Sequence, residues 1–377
     1  MPSIVTSPRA RAPRKLGRRL LGSSFVEALV GPHGVDRYLE LIDPVWTLRE
    51  VRAEITEVRH QTRDSVTLTL KPNNAWLGFR AGQFVRLTVE IDGVQRMRCY
   101  SPACSEHRDD GRFELTIKAH PHGLVSQYLK EHAHPGMVVG LSQADGDFTL
   151  PDERPQRVLL ISGGSGITPV ISMLRTLCDE GYAGEVTFLH YAFTERDVCY
   201  AVELAELAAQ HANVNLVHAY TEQVDGEALH GFFGREHLRA AEPRFAEAQT
   251  YVCGPPPLMQ SVRELWEADG LEQRLHVEHF VPPALPAPAD AGEATGTVRF
   301  EGSVVEAANT GLTLLEQAEA AGLTPEHGCR MGICHSCTCR MTAGTVRNVQ
   351  TGEVLTGNDE DIQICISVPV GDVTLDL

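Results

Sequence analysis

The periodicity of apolar and polar residues changes along the chain, and the changes predict three folded units. From about Val51, short runs alternate between apolar and polar residues and are separated by Gly and Asp-Gly turns, as in antiparallel strands. From Arg157, apolar runs alternate with helical segments, which predicts a parallel sheet covered by helices. After residue 296, two short strand runs, a helical segment and a cysteine-rich loop predict a third, smaller unit. We therefore expect a multi-domain protein with α+β and α/β parts.

The runs themselves have clear bounds in the sequence. In the first unit, alternation over 66–70, 84–89 and 113–117 predicts strands of a small antiparallel barrel. In the second unit, strands are predicted at 158–161, 186–190, 214–219 and 251–253, and helices at 169–178, 201–210 and 257–268. In the third, strands are predicted at 298–300 and 304–307, with a helix over 312–321.

Two segments do not fit a packed core. Residues 20–46 have the spacing of an amphipathic helix and follow a basic start, and residues 281–296 are rich in Pro and Ala, which is typical of a semi-rigid linker. A linker of this kind would allow the third unit to move. The predicted organisation is a basic and helical extension (1–47), a barrel (48–152), an α/β domain (153–280), the linker (281–296) and a last domain (297–377).

Charge narrows the range of partners. The chain has 377 residues and a net charge of -17, although residues 1–20 contain six basic residues and no acidic one. An acidic body argues against nucleic acid as a partner and suits docking on a basic protein. The basic start is either a frayed terminus or an arm that touches acidic lipid or a partner.

Location is predicted from what the sequence does not contain. The chain has no stretch near the ~20 apolar residues of a membrane span and no apolar run of a secretory signal. We therefore expect a cytoplasmic protein, with the inner face of the membrane open to the basic arm. Thiols stay reduced in the cytoplasm, so clustered cysteines indicate metal or redox chemistry rather than disulfides.

The cysteine cluster is the strongest chemical signal. Cys329, Cys334 and Cys337 follow the pattern C-x4-C-x2-C, and Cys365 lies downstream. This is the spacing of plant-type [2Fe–2S] ligation, in which thiolates hold the two irons. Structural zinc is the alternative, but it usually shows paired C-x2-C knuckles. Cys339 falls outside the spacing and is interpreted as a non-ligand. The segment resembles plant-type ferredoxin, which implies a β-grasp fold and a one-electron carrier.

Two motifs in the first unit point to a flavin. Arg98-Cys99-Tyr100-Ser101 ends a predicted strand, and Gly123-Leu-Val-Ser126 precedes a predicted helix start, where free N–H groups can bind phosphate. Together they resemble the R-x-Y-[ST] and G-x-x-S motifs of the ferredoxin–NADP reductase superfamily. The resemblance implies that Arg98 binds flavin phosphate, Tyr100 stacks on the isoalloxazine and Ser101 hydrogen-bonds near its N5. It also implies that the flavin pyrophosphate is held by Gly123, Leu124, Val125 and Ser126. FAD is favoured over FMN.

The second unit carries the matching nucleotide motifs. Residues 162–169, SGGSGITP, follow an apolar strand and open a helix, and residues 251–259 contain the C-G-P-P-x-x-M stretch typical of the same superfamily. The resemblance implies that Gly164, Thr168 and Pro169 line the nucleotide pocket and that Cys253 and Gly254 lie by the nicotinamide. Glu278 and Phe280 would lie over the flavin, so Ser101, Cys253 and Glu278 are the expected catalytic residues.

The preferred coenzyme stays open at this point. Glu195 and Arg196 follow the second strand of the α/β unit, where the ribose 2′ position is usually recognised. Arg196 would favour NADPH and Glu195 would favour NADH, and the interpretation leans slightly to NADPH.

These motifs together predict an NAD(P)H-dependent flavin and iron–sulfur oxidoreductase that passes electrons to another protein. The first hypothesis for that acceptor is a membrane fatty-acid desaturase, because the N-terminal extension resembles desaturase-partner reductases. The alternative is a hydroxylase or oxygenase component that acts on hydrocarbons or aromatics. A binding module with vestigial redox sites is a third possibility, opposed by the presence of every cluster cysteine and of both halves of each nucleotide site.

Overall fold

The computed structural model describes residues 44–47, 50–121, 123–222, 228–280, 295–327, 332, 335–349 and 351–377. The predicted helix over 20–46 and the basic arm lie almost wholly outside this part, as does most of the linker. Cys329 and Cys334 also lie outside it. Within the described part of the chain, none of the helices has the length and apolar character required to span a bilayer.

The first sheet is antiparallel and curls around an apolar core. Its order is β4-β3-β6-β1-β2-β5. Alternate residues of β1 point inward, among them Ala53 and Ile55, and they pack against Leu68, Leu87 and Phe113. The elements are β1 (Val51–Thr62), β2 (Ser65–Pro72), β3 (Val85–Ile91), β4 (Val94–Tyr100), β5 (Phe113–Lys118), α1 (Leu124–His132) and β6 (Val138–Leu141).

The second sheet is parallel, with the order β10-β9-β8-β7-β11-β12. Every residue of β7 is buried, which explains why this strand is an uninterrupted apolar run in the sequence. The elements are β7 (Arg157–Gly163), α2 (Ile167–Asp179), β8 (Glu185–Ala192), α3 (Ala201–Gln210), β9 (Val214–Tyr220), β10 (Leu229–His230), α4 (Arg235–Ala241), β11 (Gln249–Cys253), α5 (Pro256–Asp269) and β12 (Leu275–Glu278).

The third sheet is mixed, with the order β14-β13-β18-β15-β16 and with β17 paired to β15. Its elements are β13 (Thr297–Phe300), β14 (Val305–Ala308), α6 (Leu314–Ala320), β15 (Thr338–Asn348), β16 (Val354–Gly357), β17 (Glu360–Gln363) and β18 (Ser367–Leu375). The predicted fold class is thus confirmed: an antiparallel curled sheet, a parallel α/β domain and a third domain with a mixed sheet. The exact domain boundaries stay a prediction.

Two predicted bounds shift by a residue or two for local reasons. The last helix begins at Leu314 rather than 312, because Thr313 caps it: its side chain accepts from the N–H of Glu316, and the Glu316 carboxylate accepts from the N–H of Thr313. The strand predicted from residue 304 begins at Val305, because Val304 has φ 55° and lies in the turn before it.

Arg175 links the barrel to the α/β domain. It lies on α2 and makes a bidentate pair with Glu203 of α3, with Nε···Oε1 and Nη2···Oε2 distances of 2.7 and 2.6 Å. Its Nη1 donates to the carbonyl of Ala103 at 2.6 Å and lies 3.4 Å from the carboxylate of Glu114, both in the barrel. The Arg175 side chain is only 11% exposed. The two domains therefore share one buried cation.

We expect Arg175→Met to lower the free energy of unfolding by about 1–3 kcal/mol, because it removes the bidentate partner of Glu203 and the donor to the carbonyl of Ala103, whereas Glu114 keeps its ion pair with Arg108 at 3.0 Å. Arg235→Met is the matched control. Arg235 forms the same bidentate pair with Asp269, at 2.7 and 2.8 Å, but at an exposed site, where we expect little change. Denaturant unfolding followed by circular dichroism measures both. Equal losses in the two variants would contradict the role given to Arg175.

Candidate functional site

A cleft of about 1070 Å³ lies between the barrel and the parallel sheet. This is at the upper end of the range for small-molecule sites. The cleft brings together residues from both flavin motifs and both nucleotide motifs, although they are far apart in the chain. The predicted residues that line it are Arg98, Tyr100, Ser101, Gly123, Val125, Ser126, Gly164, Thr168, Gly254, Glu278 and Phe280.

Four predicted residues are not part of the lining. Cys253 is fully buried at the end of β11, and Pro169 is buried in the first turn of α2. Leu124 is half exposed at the start of α1. Arg196 is exposed in the single 3-10 turn that follows β8.

The flavin segment forms one wall of the cleft. Tyr100 ends β4, and burial raises the pKa of its hydroxyl, so that the ring stays neutral. Ser101 is buried, and its Oγ has no hydrogen-bond partner among the described residues. A buried hydroxyl without a partner is costly unless a ligand satisfies it. This wall therefore fits a flat ring with a polar edge, such as a flavin.

The start of α1 forms a phosphate-sized notch beside it. A Cβ on Gly123 would overlap Ser126 Oγ, so a larger residue here would force the Ser126 side chain to rotate away. Ser126 Oγ donates to the carbonyl of Gly123 at 3.1 Å and accepts from the N–H of His120 at 3.3 Å. The first turn of α1 holds no acidic residue, and the Lys118 ammonium lines the cleft nearby. Helix-start N–H groups and a cation suit the phosphates of a dinucleotide.

The two nucleotide motifs pack directly on each other. A Cβ on Gly166 would overlap the backbone carbonyl of Cys253 and lie 2.6 Å from the nitrogen of Gly254. A Cβ on Gly163 would lie 2.8 Å from Cδ of Pro255. The glycines therefore allow the loop after β7 to meet the loop after β11, and the two loops form one surface at the carboxyl edge of the sheet. This is where dinucleotides bind in open α/β sheets.

A row of polar residues crosses the sheet beneath these loops. In the strand register, Glu278, Cys253, Ser162, His190 and His218 are successive neighbours on β12, β11, β7, β8 and β9. Ser162 Oγ lies 2.8 Å from Nδ1 of the fully buried His190. Burial lowers the pKa of His190 to about 3, so this imidazole is neutral. The buried imidazole of His190 therefore adds a polar group to this row but no positive charge.

The cleft end of this row holds a carboxyl group with a shifted pKa. Burial raises the pKa of Glu278 to about 7, and Glu278 lines the cleft. Burial first, and the Glu278 carboxylate second, raise the pKa of the Cys253 thiol well above its ordinary value. Glu278 can therefore gain or release a proton near neutral pH, whereas Cys253 stays a neutral thiol.

Several residues that line the cleft lie outside the sequence motifs and were not predicted. Phe193 and Phe232 line the cleft while 55% and 81% exposed, and the Lys118 ammonium lies 5.8 Å from the ring centroid of Phe193. Lys118 and Phe193 each occur at the carboxyl end of a predicted strand, a position that could have drawn attention to them.

The cysteine-rich segment is described in part. Cys337 and Cys365 are buried in the core of the third domain, and the N–H of Gly332 donates to Cys365 Sγ at 3.3 Å. An N–H directed at a sulfur is typical of iron–sulfur ligation, so the residues present fit a cluster. Ser336 Oγ lies 3.9 Å from Sδ of Met97, the residue before Arg98 on β4. The cysteine loop thus contacts the strand that carries the flavin motif.

Cys339 differs from the predicted ligands. Its Sγ donates to the carbonyl of Asp376 at 3.4 Å, and burial raises its pKa to about 11. The Cys339 sulfur is therefore engaged with a backbone carbonyl, and Cys339 stays a predicted non-ligand.

Comparisons with known proteins agree with this arrangement. Family models match in three successive segments: an oxidoreductase FAD-binding domain at 52–150, an oxidoreductase NAD-binding domain at 160–264 and a 2Fe-2S iron-sulfur cluster binding domain at 298–370. An NADPH oxidoreductase of Mycobacterium tuberculosis is 37% identical over 91% of this chain and 88% of its own length.

Two further relatives are reductase components. The glycine betaine monooxygenase reductase subunit of Pseudomonas aeruginosa is 35% identical over 79% of this chain and 87% of its own. The solved structure of phthalate dioxygenase reductase superimposes with a TM-score of 0.58 at 24% identity, over 86% of this chain and 97% of that one. Because the identity to phthalate dioxygenase reductase is only 24%, this similarity shows a shared fold and nothing more.

Proposed function

The chain belongs to the ferredoxin–NADP reductase family, with FAD- and NAD-binding domains followed by a C-terminal [2Fe–2S] domain, and from this premise we propose that it delivers electrons to the oxygenase component of a two-part oxygenase. It is an NAD(P)H-dependent flavin and iron–sulfur oxidoreductase. The observation that carries the choice of acceptor is the 35% identity to a monooxygenase reductase subunit over 87% of that subunit.

The roles of the residues form part of the proposal. FAD, when bound, exchanges electron pairs with the nicotinamide and single electrons with the iron–sulfur cluster. Arg98 and the start of α1 at Gly123 and Ser126 bind its phosphates. Tyr100 orients its ring, and the Ser101 hydroxyl, which has no partner among the described residues, hydrogen-bonds its polar edge.

The nucleotide side of the cleft binds and orients the coenzyme. Gly164 and Thr168 face the coenzyme phosphates, and Gly254 borders the nicotinamide. Phe280, which lines the cleft, would lie over the flavin ring and keep water away from it. Glu278, whose pKa is raised to about 7 by burial, holds or releases the proton at the cleft floor.

Three of the four predicted residues that do not line the cleft would act in other ways. Buried Cys253 supports the nicotinamide site from below, next to Glu278 in the strand register. Pro169 fixes the first turn of α2. Leu124 offers its backbone N–H as part of the pyrophosphate notch.

The cluster ligands we propose are Cys329, Cys334, Cys337 and Cys365. Thiolates suit ferric and ferrous iron, and the Gly332 N–H adds a donor to one of the sulfurs.

The desaturase hypothesis rested on the N-terminal extension, which lies outside the described residues. No contact among the described residues favours a desaturase over an oxygenase. The preference for NADPH also stays a prediction. It rests on Arg196, which is exposed in the turn that follows β8.

The test supplies this protein with NADPH or NADH and three classes of acceptor. These are a panel of purified oxygenase components that includes glycine betaine monooxygenase, membranes that contain an acyl desaturase, and cytochrome c as a nonspecific one-electron acceptor. We expect cytochrome c reduction with a functional protein, and reductase-dependent loss of oxygenase substrate, measured by mass spectrometry. Desaturation in the absence of any oxygenase turnover would overturn the proposed acceptor.

A further inference from the structure

Two residues of the cysteine loop have left-handed backbone conformations. Gly332 has φ 71° and His335 has φ 55°. Glycine adopts this region without strain, but a residue with a Cβ does so at a cost. His335 therefore requires contacts that hold it in place, and it is the residue between the proposed ligand Cys334 and Ser336.

One side chain contacts both of these residues. Gln363, the last residue of β17, places its Nε2 2.7 Å from the carbonyl oxygen of Gly332 and 2.8 Å from Nδ1 of His335. An amide nitrogen carries two hydrogens, so it can donate to both acceptors at once when His335 carries its proton on Nε2.

Gly332 is thus held from two sides. Its carbonyl accepts from Gln363, and its N–H donates to Cys365 Sγ at 3.3 Å. Gln363 and Cys365 are separated by Ile364 alone, whose N–H donates to the carbonyl of Cys337 at 3.2 Å. The same short segment therefore supplies a cluster ligand, a hydrogen bond to a second ligand residue and the support of the loop.

The far end of the loop is anchored by β15. Thr338 donates to the carbonyl of His335 through its N–H at 3.1 Å and through its hydroxyl at 2.7 Å. Thr338 is also the strand partner of Gln363. Gln363 and Thr338 consequently hold opposite sides of His335.

We propose that Gln363 is a positioning residue of the iron–sulfur centre, which clamps Gly332 and His335 and thereby keeps the N–H of Gly332 on the sulfur of Cys365. This inference rests on the ligand set proposed above. A hydrogen bond to a thiolate ligand stabilises the reduced, more negative cluster, so that the clamp raises its midpoint potential. It also slows the opening of the loop through which the iron would be lost.

The test compares Gln363→Leu with Gln273→Leu in the full-length holoprotein. Leucine keeps much of the volume of glutamine but has no donor. Gln273 is exposed in the α/β domain and provides the same chemical change away from the loop. The readouts are the cluster midpoint potential from EPR-monitored redox titration, the rate of cluster bleaching under a chelator, and anaerobic flavin reduction by NADPH.

We expect the Gln363→Leu protein to have a lower cluster midpoint potential and to lose its cluster about 10-fold faster than the wild type. Removing a residue that supports a metal ligand typically weakens metal binding by about 10- to 100-fold, and the expected change is at the lower end of that range. Flavin reduction should stay at the wild-type rate, and Gln273→Leu should match the wild type throughout. His335→Ala removes only one of the two acceptors from an exposed site, so it should fold and show a smaller change in the same direction.

Two outcomes would overturn the clamp, and they are distinguishable from a failure of the ligand set. If Gln363→Leu and His335→Ala keep the wild-type potential and bleaching rate while the cluster is present, Gln363 does not position it. If the wild-type protein shows no [2Fe–2S] spectrum, the proposed ligands fail, and the clamp fails with them.

Discussion

Cys365→Ser is expected to abolish the iron–sulfur cluster while flavin reduction by NAD(P)H keeps its wild-type rate. Plant-type clusters require thiolate ligands. Cys365 is the proposed ligand that comes from outside the cysteine loop. Its Sγ already accepts the N–H of Gly332. The loss should appear in visible absorbance, in iron and acid-labile sulfide content and in EPR. Cytochrome c reduction that depends on the cluster should fall to the level of a protein without it.

Cys339→Ser is the control for this experiment. Cys339 is a buried cysteine in the same core, but its Sγ donates to the carbonyl of Asp376, a bond that serine can also make. We expect Cys339→Ser to retain the cluster in full stoichiometry. A variant pair with the opposite behaviour, in which Cys339→Ser loses iron and Cys365→Ser keeps it, would show that the ligand set is wrong.

The fold could be predicted from the sequence because, in most strands, the pattern of apolar and polar residues matches the pattern of buried and exposed positions. Residues 158–161 are an unbroken apolar run, and β7 is buried on both faces as such a run requires. The antiparallel strands alternate because one face packs on the barrel core. The start of the last helix differs from the prediction because of a local feature, the Thr313 cap.

The site was predictable in part, because its motifs lie at strand ends. Tyr100, Ser101, Gly164 and Glu278 all follow or end strands, and the topology brings them to one cleft. The contacts between distant segments could not be predicted. The row from Glu278 to His218 depends on the register of strands whose order in the sheet is not their order in the chain. Local propensity carries no information on such register.

The same limitation applies to the cysteine loop. The spacing of the cysteines predicts the ligands, but it does not show the contacts that Gln363, on another strand, makes with Gly332 and His335. Side chains that support a metal site from outside often come from distant segments, because they must reach the ligands from behind.

Gly166→Ala is expected to reduce kcat/KM for NAD(P)H by about 10²-fold, because a displacement of about 1 Å in a positioning loop costs that much. The new Cβ would overlap the backbone carbonyl of Cys253, so the loop after β7 and the loop after β11 would have to separate. Backbone cannot rotate away as a side chain can, and both loops belong to the proposed nucleotide site. Stopped-flow flavin reduction under anaerobic conditions, with NADPH and with NADH, measures the loss. Dithionite should still reduce the flavin and the cluster, because the carriers themselves are untouched.

Gly234→Ala supplies the matched control within the same domain. A Cβ at Gly234 would meet no atom within 4 Å, and Gly234 has φ -164°, an extended conformation open to alanine. Gly234 is the N-cap of α4, where alanine is a poorer cap than glycine, so we expect a loss of stability of about 1 kcal/mol and no change at the nucleotide site. We expect its hydride-transfer rate to equal that of the wild type. If Gly166→Ala also keeps the wild-type rate, the two loops do not need their present contact to bind the coenzyme, and the nucleotide site assigned to them is wrong.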